Sequence, residues 1–428
     1  MDSHDNALLT ATGPGTAMGR LLRRFWLPAV LSTELAEPDG APVRVRLLGE
    51  NLVAFRDSEG QAGLLRESCA HRGASLYYGQ NGKGGLRCWY HGWKYDATGA
   101  LLETPNEPGD ALKQRVRQPA YPCVEINGAV WTYMGPPQSQ PRIPDLEWLL
   151  VPRDHVYITK RIQQCHWTQG MEGDIDPSHL AFLHGETISQ GGGSSAGHAS
   201  ANWLRASLAP AIEAIPRPNG ILYASRREAG DADSYFWRIG QWMLPWFTTI
   251  PAFPGEVPML GHAWVPRDDQ STAVFSFSWH PRRAVNEVEI ARYQTHGATH
   301  AILAPGSFIP QRNKSTEYLD PAMRDAPQPW MRITRFQDQD IAATEGIGPT
   351  FDRSSEHLVS SDEVIARVRR TLMVAAMELE SGGEAPGRDP ADYRIRPYSV
   401  KLPRDVAPWH EAAAEAMQAR PETFRASD

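Results

Sequence analysis

The sequence predicts an α+β chain of two domains, an all-β N-terminal one and a mixed C-terminal one. Three observations carry this expectation. From about residue 43 to 134 the chain runs in short alternating apolar stretches broken by Gly, Asn and Asp, the texture of hairpins. The segment Gly135-Pro136-Pro137-Gln138-Ser139-Gln140-Pro141 is rich in Pro and polar residues and reads as a linker. Beyond it, strand-like runs near 156–162, 221–225 and 273–279 are mixed with helical periodicity. The expected domains are therefore 1–140, including an N-terminal helix, and 141–428.

Each element follows from local chemistry. Residues 14–27 open on Pro14 and Gly15 and read as a short amphipathic helix ending near Trp26. Val43-Arg44-Val45-Arg46-Leu47-Leu48 and Leu52-Val53-Ala54-Phe55 flank a Gly49-Glu50-Asn51 turn. Val124-Glu125-Ile126 turns at Asn127-Gly128 into Ala129-Val130-Trp131-Thr132-Tyr133. Gly191-Gly192-Gly193-Ser194-Ser195 suits a flexible lid. Ser360-Ser361-Asp362-Glu363 is a capping box for a helix to about Glu380, whose stripe of Val364, Ile365, Val368, Leu372 and Met373 faces a core.

Composition excludes several classes. At 428 residues, with 41% apolar and 22% charged residues, the chain is ordinary for a soluble globular protein. A net charge of -7 and the lack of any Lys/Arg run argue against nucleic-acid binding. No stretch reaches the length of a membrane span. The acidic start, Met1-Asp2-Ser3-His4-Asp5, is unlike a signal peptide, and the few cysteines, read as ligands and thiols and not as disulfides, set the expectation of a reducing compartment, most simply the cytoplasm.

Cys69-Ala70-His71 and Cys88-Trp89-Tyr90-His91 supply two Cys and two His in two tight pairs, on loops of the all-β part. That is the ligand set of a Rieske [2Fe–2S] cluster, with thiolates on one iron and neutral imidazoles on the other. Tetrahedral zinc also takes two Cys and two His, but its knuckles favour Cys-x2-Cys and His-x3-His arms. With only 4 Cys in the chain, Cys123 and Cys165 are left as buried thiols rather than a disulfide framework.

A second constellation is Asp176-Pro177-Ser178-His179 followed by His184, read as one helical segment. Asp176 and His179 are spaced to share a helix face. His179 and His184 stand about 140° apart on an ideal helix, so both reach one ion only if the helix is distorted or the metal sits over its end. Two His and a carboxylate would form a facial triad with open positions on Fe(II). The carboxylate must come from elsewhere, and the pattern alone leaves Asp338 and Asp340 as equal candidates.

These residues together resemble the Rieske non-haem iron oxygenases over most of the chain, and most closely the phthalate and phenoxybenzoate dioxygenase type. The resemblance is carried by the two Cys/His pairs, by Glu172-Gly173-Asp174-Ile175-Asp176-x2-His179-x4-His184, and by Gln339-Asp340-x4-Glu345-Gly346 followed by Asp352-Arg353-Ser354-x-Glu356-His357-Leu358. It implies a β-sandwich Rieske domain joined to a helix-grip catalytic domain, an antiparallel sheet around a long helix. It selects Asp340 over Asp338 as the iron carboxylate and leaves His357 structural. It implies a head-to-tail trimer, or a multiple of it, in which Asp176 bridges a cluster His to an iron-ligand His across subunits. His166 departs from the family, where Asn is common.

The resemblance also implies the activity. The chain would be a terminal oxygenase that dihydroxylates an aromatic carboxylate with O2. Electrons would come from a separate NAD(P)H-dependent reductase carrying a flavin and an iron–sulfur centre, since no Gly-rich dinucleotide fingerprint is present here. Arg205 and Arg238 stand where the family's carboxylate-binding Arg residues fall, and a guanidinium suits a carboxylate bidentately. The aromatic stretch from Tyr235 to Phe247 suits an apolar pocket or a core. O-demethylation or aryl-ether cleavage would use the same residues, and an electron carrier without mononuclear iron is the rival of a different class.

Overall fold

The computed structural model describes residues 1–189, 202–204, 207–251, 258–406 and 408–420. The chain separates into two compact units, one of residues 12–141 with 266–268 and one of residues 1–11, 142–265 and 269–428.

The smaller unit is built from three antiparallel sheets. β1 (Trp26–Leu31), β10 (Cys123–Ile126) and β11 (Ala129–Tyr133) form one, in the order β1-β11-β10. β2 (Val43–Leu47), β3 (Glu50–Arg56), β4 (Ala62–Arg66) and β9 (Ala120–Tyr121) form the second. β5 (Gln80–Asn81), β6 (Leu86–Arg87), β7 (Lys94–Tyr95) and β8 (Leu101–Glu103) form the third. The β10–β11 turn falls at Asn127-Gly128, where both residues have positive φ (48° and 87°) as a tight hairpin demands. The β2–β3 turn falls one residue earlier than expected, at Leu48-Gly49, because Leu47 pairs with Glu50. The expected helix over 14–27 is shorter, Ala17–Leu22, capped by Thr16. Trp26 instead starts β1, where it pairs with Tyr133.

The larger unit holds an antiparallel sheet of eight strands. They are β12 (Val156–Gln163), β13 (Ala211–Arg217), β14 (Gly220–Glu228), β15 (Ser234–Met243), β16 (Phe247–Ile250), β17 (Met259–Asp268), β18 (Ser271–Trp279) and β19 (Tyr398–Pro403). Their order is β12-β18-β17-β16-β15-β14-β13, with β19 also on β15. Four helices matter for the site: α1 (Ser3–Thr10), α2 (Trp167–Ile175), α3 (Phe336–Gly346) and α4 (Glu363–Glu380). α4 lies against β13 and β14, with Val364, Ile365, Val368 and Leu372 buried, so the sheet-and-long-helix architecture is present as expected. It starts at Glu363, after a 3-10 turn over Ser360–Asp362. The first eleven residues, assigned by sequence to the N-terminal domain, belong to this larger unit, where α1 packs on α4. Phe236, Trp237, Trp242, Trp246 and Phe247 are core, and Trp237 stacks on Trp409 with centroids 5.6 Å apart.

Candidate active site

The two Cys/His loops of the smaller unit repeat one local design. In each, the glycine four residues after the Cys donates its N–H to the Cys carbonyl, Gly73 to Cys69 at 2.8 Å and Gly92 to Cys88 at 3.0 Å. Both glycines have φ near +76°, a conformation other residues rarely adopt. Both Cys are buried within the core of Val53, Phe55, Leu65, Leu76, Leu86 and Tyr95, and both are free thiols. His71 and His91 stand edge to face with ring centroids 4.6 Å apart, and His71 stacks on Trp93. Burial pushes the Cys69 thiol up, while the Tyr95 hydroxyl, 3.2 Å from the sulfur, and the backbone at His71 act against it. A sulfur surrounded by donors in this way suits a metal-bound thiolate.

In the larger unit, His179, His184 and Asp340 each offer one donor atom, and the three atoms lie within 4.8 Å of one another. His184 Nε2 is 2.9 Å from Asp340 Oδ1, and His179 Nε2 is 3.8 Å from it. Donor atoms bonded to one ion at about 2.1 Å stand roughly 3–4 Å apart, so this set fits a single metal with two imidazoles and one carboxylate. Burial pushes the Asp340 carboxyl up, but His184, His179 and Arg161 outweigh it and hold it below its ordinary value, in the form that binds metal.

The segment from Asp176 to His184 is not one helix. α2 ends at Ile175, a 3-10 turn covers His179–Ala181, and a new helix starts at Gly185. Pro177 accounts for the break, since it biases Asp176 away from helical dihedrals, and Asp176 is extended (φ -92°, ψ 105°). The break removes the 140° problem and lets both imidazoles face one point. Asp176 Oδ2 lies 3.6 Å from His179 Nδ1, in ion-pair range but beyond a hydrogen bond, and its Oδ1 accepts from Ser178.

Of the two acids left open by the pattern, Asp340 faces the His pair, whereas Asp338 faces Arg312 at 3.4 Å. Burial pushes Asp338 up to about 6 despite Arg312 and Arg335. A cavity opens at His179 and Asp340, with Leu180, Ile188, Ile250, Leu260, Trp264 and Phe336 among its apolar lining. Arg238 from β15 also lines it and donates from Nη2 to the Pro251 carbonyl at 2.5 Å. Arg205 and the Gly191–Ser195 stretch lie outside the described residues.

Comparison with known proteins gives a consistent answer. Residues 25–122 match the Rieske [2Fe-2S] domain, and residues 132–423 match the family described as LigXa C-terminal domain like. The chain is 35% identical to the 3-chlorobenzoate-3,4-dioxygenase oxygenase subunit of Comamonas testosteroni, over 92% of this chain and 93% of that one. It is also 35% identical to the phthalate 4,5-dioxygenase oxygenase subunit of Pseudomonas putida, over 90% and 88%. The 5,5'-dehydrodivanillate O-demethylase oxygenase subunit of a Sphingobium species is 32% identical, over 91% and 84%. Among solved structures, the terminal oxygenase of carbazole 1,9a-dioxygenase from Nocardioides aromaticivorans superposes with a TM-score of 0.58 at 21% identity, covering 86% of this chain and 96% of that one.

The chain is a Rieske non-haem iron oxygenase.

It is the terminal oxygenase component of an aromatic ring-hydroxylating or demethylating system, and its cofactors are a Rieske [2Fe–2S] cluster and a mononuclear iron. Among the described residues of the oxygenase, no helix is long and apolar enough to cross a membrane. Three residues at the site carry no expected role from the sequence. Gln339 accepts at Oε1 from His184 Nδ1 at 2.8 Å. Arg161 on β12 and Asp174 on α2 are buried or nearly so in the cavity wall. Gln339 was findable, because Phe336, Gln339 and Asp340 share one face of α3 at i, i+3 and i+4. Asp174 lies in the stretch from Glu172 to His184 that carries the resemblance, but no local pattern gives it a role, and none marks Arg161.

Proposed function

We propose that this oxygenase dihydroxylates an aromatic carboxylate, phthalate- or phenoxybenzoate-like, with electrons from a separate NAD(P)H-dependent flavin and iron–sulfur reductase. The reading assigns the cluster to Cys69, His71, Cys88 and His91, and the mononuclear iron to His179, His184 and Asp340. When bound, these groups supply one-electron delivery and activation of O2. The protein's own residues would do the rest. The site would open to the cavity on the side of His179 and Asp340, which line it. Arg238 would hold the substrate carboxylate there, and the apolar lining would hold the ring and exclude water. Asp176 would orient His179 and link it to a cluster His of a neighbouring copy, in a cytoplasmic homotrimer or a multiple of it. Arg205 would be a second carboxylate contact.

The observation that carries the reading is the meeting of two imidazoles and one carboxylate beside an apolar cavity: His179 and Asp340 line it, His184 is fully buried against Asp340, and a buried Arg lines the same space. O-demethylation or aryl-ether cleavage is the second reading, favoured by the kinship with a chain named as an O-demethylase oxygenase subunit. A carrier without mononuclear iron would have no use for the triad or the cavity.

The test is turnover of the reduced protein with O2 and a panel of phthalates, phenoxybenzoates and methoxybenzoates. An aromatic acid should be consumed, and Arg238→Gln should raise its KM by at least tenfold with a smaller effect on kcat. An equal KM in wild type and variant would remove Arg238 from the reading. No consumption of any acid would remove the carboxylate.

A further inference from the structure

One indole in the cavity wall carries a charged group on its face and another at its edge. The Arg161 guanidinium lies over the Trp264 ring, 5.3 Å from its centroid. The Trp264 Nε1–H donates to Asp174 Oδ2 at 2.7 Å. Both charged groups line the cavity.

Each is fixed by other partners. Asp174 Oδ2 also accepts from Thr248 Oγ1 at 2.6 Å and from His262 Nδ1 at 2.7 Å, so three donors from β16 and β17 hold it. Its backbone carbonyl accepts from the Tyr223 hydroxyl. Oδ1 makes no hydrogen bond among the described residues, and the side chain keeps 12% of its surface exposed. Arg161 is 2% exposed and donates from Nε to Gln163 Oε1 at 3.3 Å and from Nη1 to Ser276 Oγ at 3.0 Å. Both partners are neutral, and among the described residues Arg161 makes no ion pair. Burial lowers its guanidinium to about 10, and the Asp174 carboxylate opposes that fall more than any other group does.

An opposite pair in a poorly hydrated wall attracts strongly, yet these two are held short of contact. The group that completes both must accept from a guanidinium and donate to a carboxylate. A hydroxyl does this with a single oxygen. A second carboxylate would satisfy Arg161 but repel Asp174, and a methyl ether could accept but not donate. We propose that Arg161 and Asp174 form a subsite for a phenolic hydroxyl of the substrate, which donates to Asp174 Oδ1 and accepts from the Arg161 guanidinium. This rests on the aromatic-acid reading of the cavity and narrows it to hydroxylated aromatic acids, with Arg238 taking the carboxylate.

The test is equilibrium binding to the iron-loaded protein of benzoate, the hydroxybenzoate isomers, their methyl ethers, phthalate, and phenols without a carboxylate. One hydroxybenzoate isomer should bind at least tenfold tighter than benzoate and than its own methyl ether. In Asp174→Asn the three donors keep the amide oxygen, so an NH2 faces the cavity in place of an acceptor. The hydroxyl preference should then shrink to within twofold while benzoate affinity holds. The wild-type ligand series decides the matter even if that variant fails to fold. If benzoate binds and no hydroxy isomer is preferred, the subsite is wrong and the aromatic-acid reading stands. If only carboxylate-free phenols bind, with the same dependence on Asp174, the subsite stands and the aromatic-acid reading falls. If no ring binds, or a water-filled wall leaves all rings equal, the subsite is overturned.

Discussion

His184 is held on three sides. Its ring stacks on Phe336 with centroids 3.5 Å apart, Nδ1 meets Gln339 Oε1, and Nε2 points at Asp340. The Gln339 amide nitrogen donates to Thr187 Oγ1 at 3.0 Å and to the Ile333 carbonyl at 2.9 Å. Its oxygen is therefore the atom presented to His184, which fixes the proton on Nδ1 and frees Nε2 for a metal. Removing such a support typically weakens metal affinity by about 10–100-fold. Gln339→Ala is thus expected to weaken Fe(II) binding by that order in a metal titration, with the visible spectrum of the cluster unchanged. Unaltered affinity would show that Phe336 and the backbone suffice. Asp340→Asn is expected to lower bound iron from about three to about two per chain, the two being those of the cluster.

Elements place these residues, and their packing is tight. α2 lies so close to Trp264 that a Cβ on Gly170 would stand 2.2 Å from the indole Cζ3. Gly170→Ala is expected to cost about 1–3 kcal/mol, read by thermal or denaturant unfolding, because helix or indole must shift. His166 caps the same helix and ties it to α1, with Nδ1 2.7 Å from Thr168 Oγ1 and Nε2 3.1 Å from the Thr10 carbonyl. Burial holds its imidazole down to about 3, and the charge of Arg353 pushes the same way. An unfolded His titrates near 6.5, so between about pH 3 and 6.5 the unfolded chain binds more protons. Stability must rise with pH across that window and fall on acidification. The melting temperature should therefore drop from pH 6.5 to pH 4, with a shallower slope in His166→Asn. Equal slopes would show that other groups set the acid limit.

Legibility at this scale followed locality. The Cys/His loops could be read because Cys, His and a positive-φ glycine lie within five residues of one another. The β10–β11 turn was equally local. The spacing from Asp176 to His184 suggests a helix that the chain does not form, because Pro177 ends it. Arg161 and Asp174 were not legible, since they meet around Trp264 only after β12, α2 and β17 are assembled.

For the whole molecule, the chain separates chemistry by unit. The Cys/His loops belong to the smaller unit, and the triad, Arg161, Asp174 and Arg238 belong to the larger one. That division matches one unit for electron entry and one for oxygen chemistry. It also explains why sequence stated the cofactors more sharply than the substrate. Ligand sets are short motifs, whereas a cavity wall is drawn from strands and helices spread from Arg161 to Thr344. Under the proposed function, O2 meets an aromatic acid in this cavity. A single turnover of the reduced, iron-loaded protein with isotopically heavy O2 tests it most directly, with the acid products read by mass. A product carrying both heavy atoms is expected. One heavy atom would move demethylation to first place, and an unlabelled panel with about three irons per chain would contradict the claim that this cavity oxygenates aromatic acids.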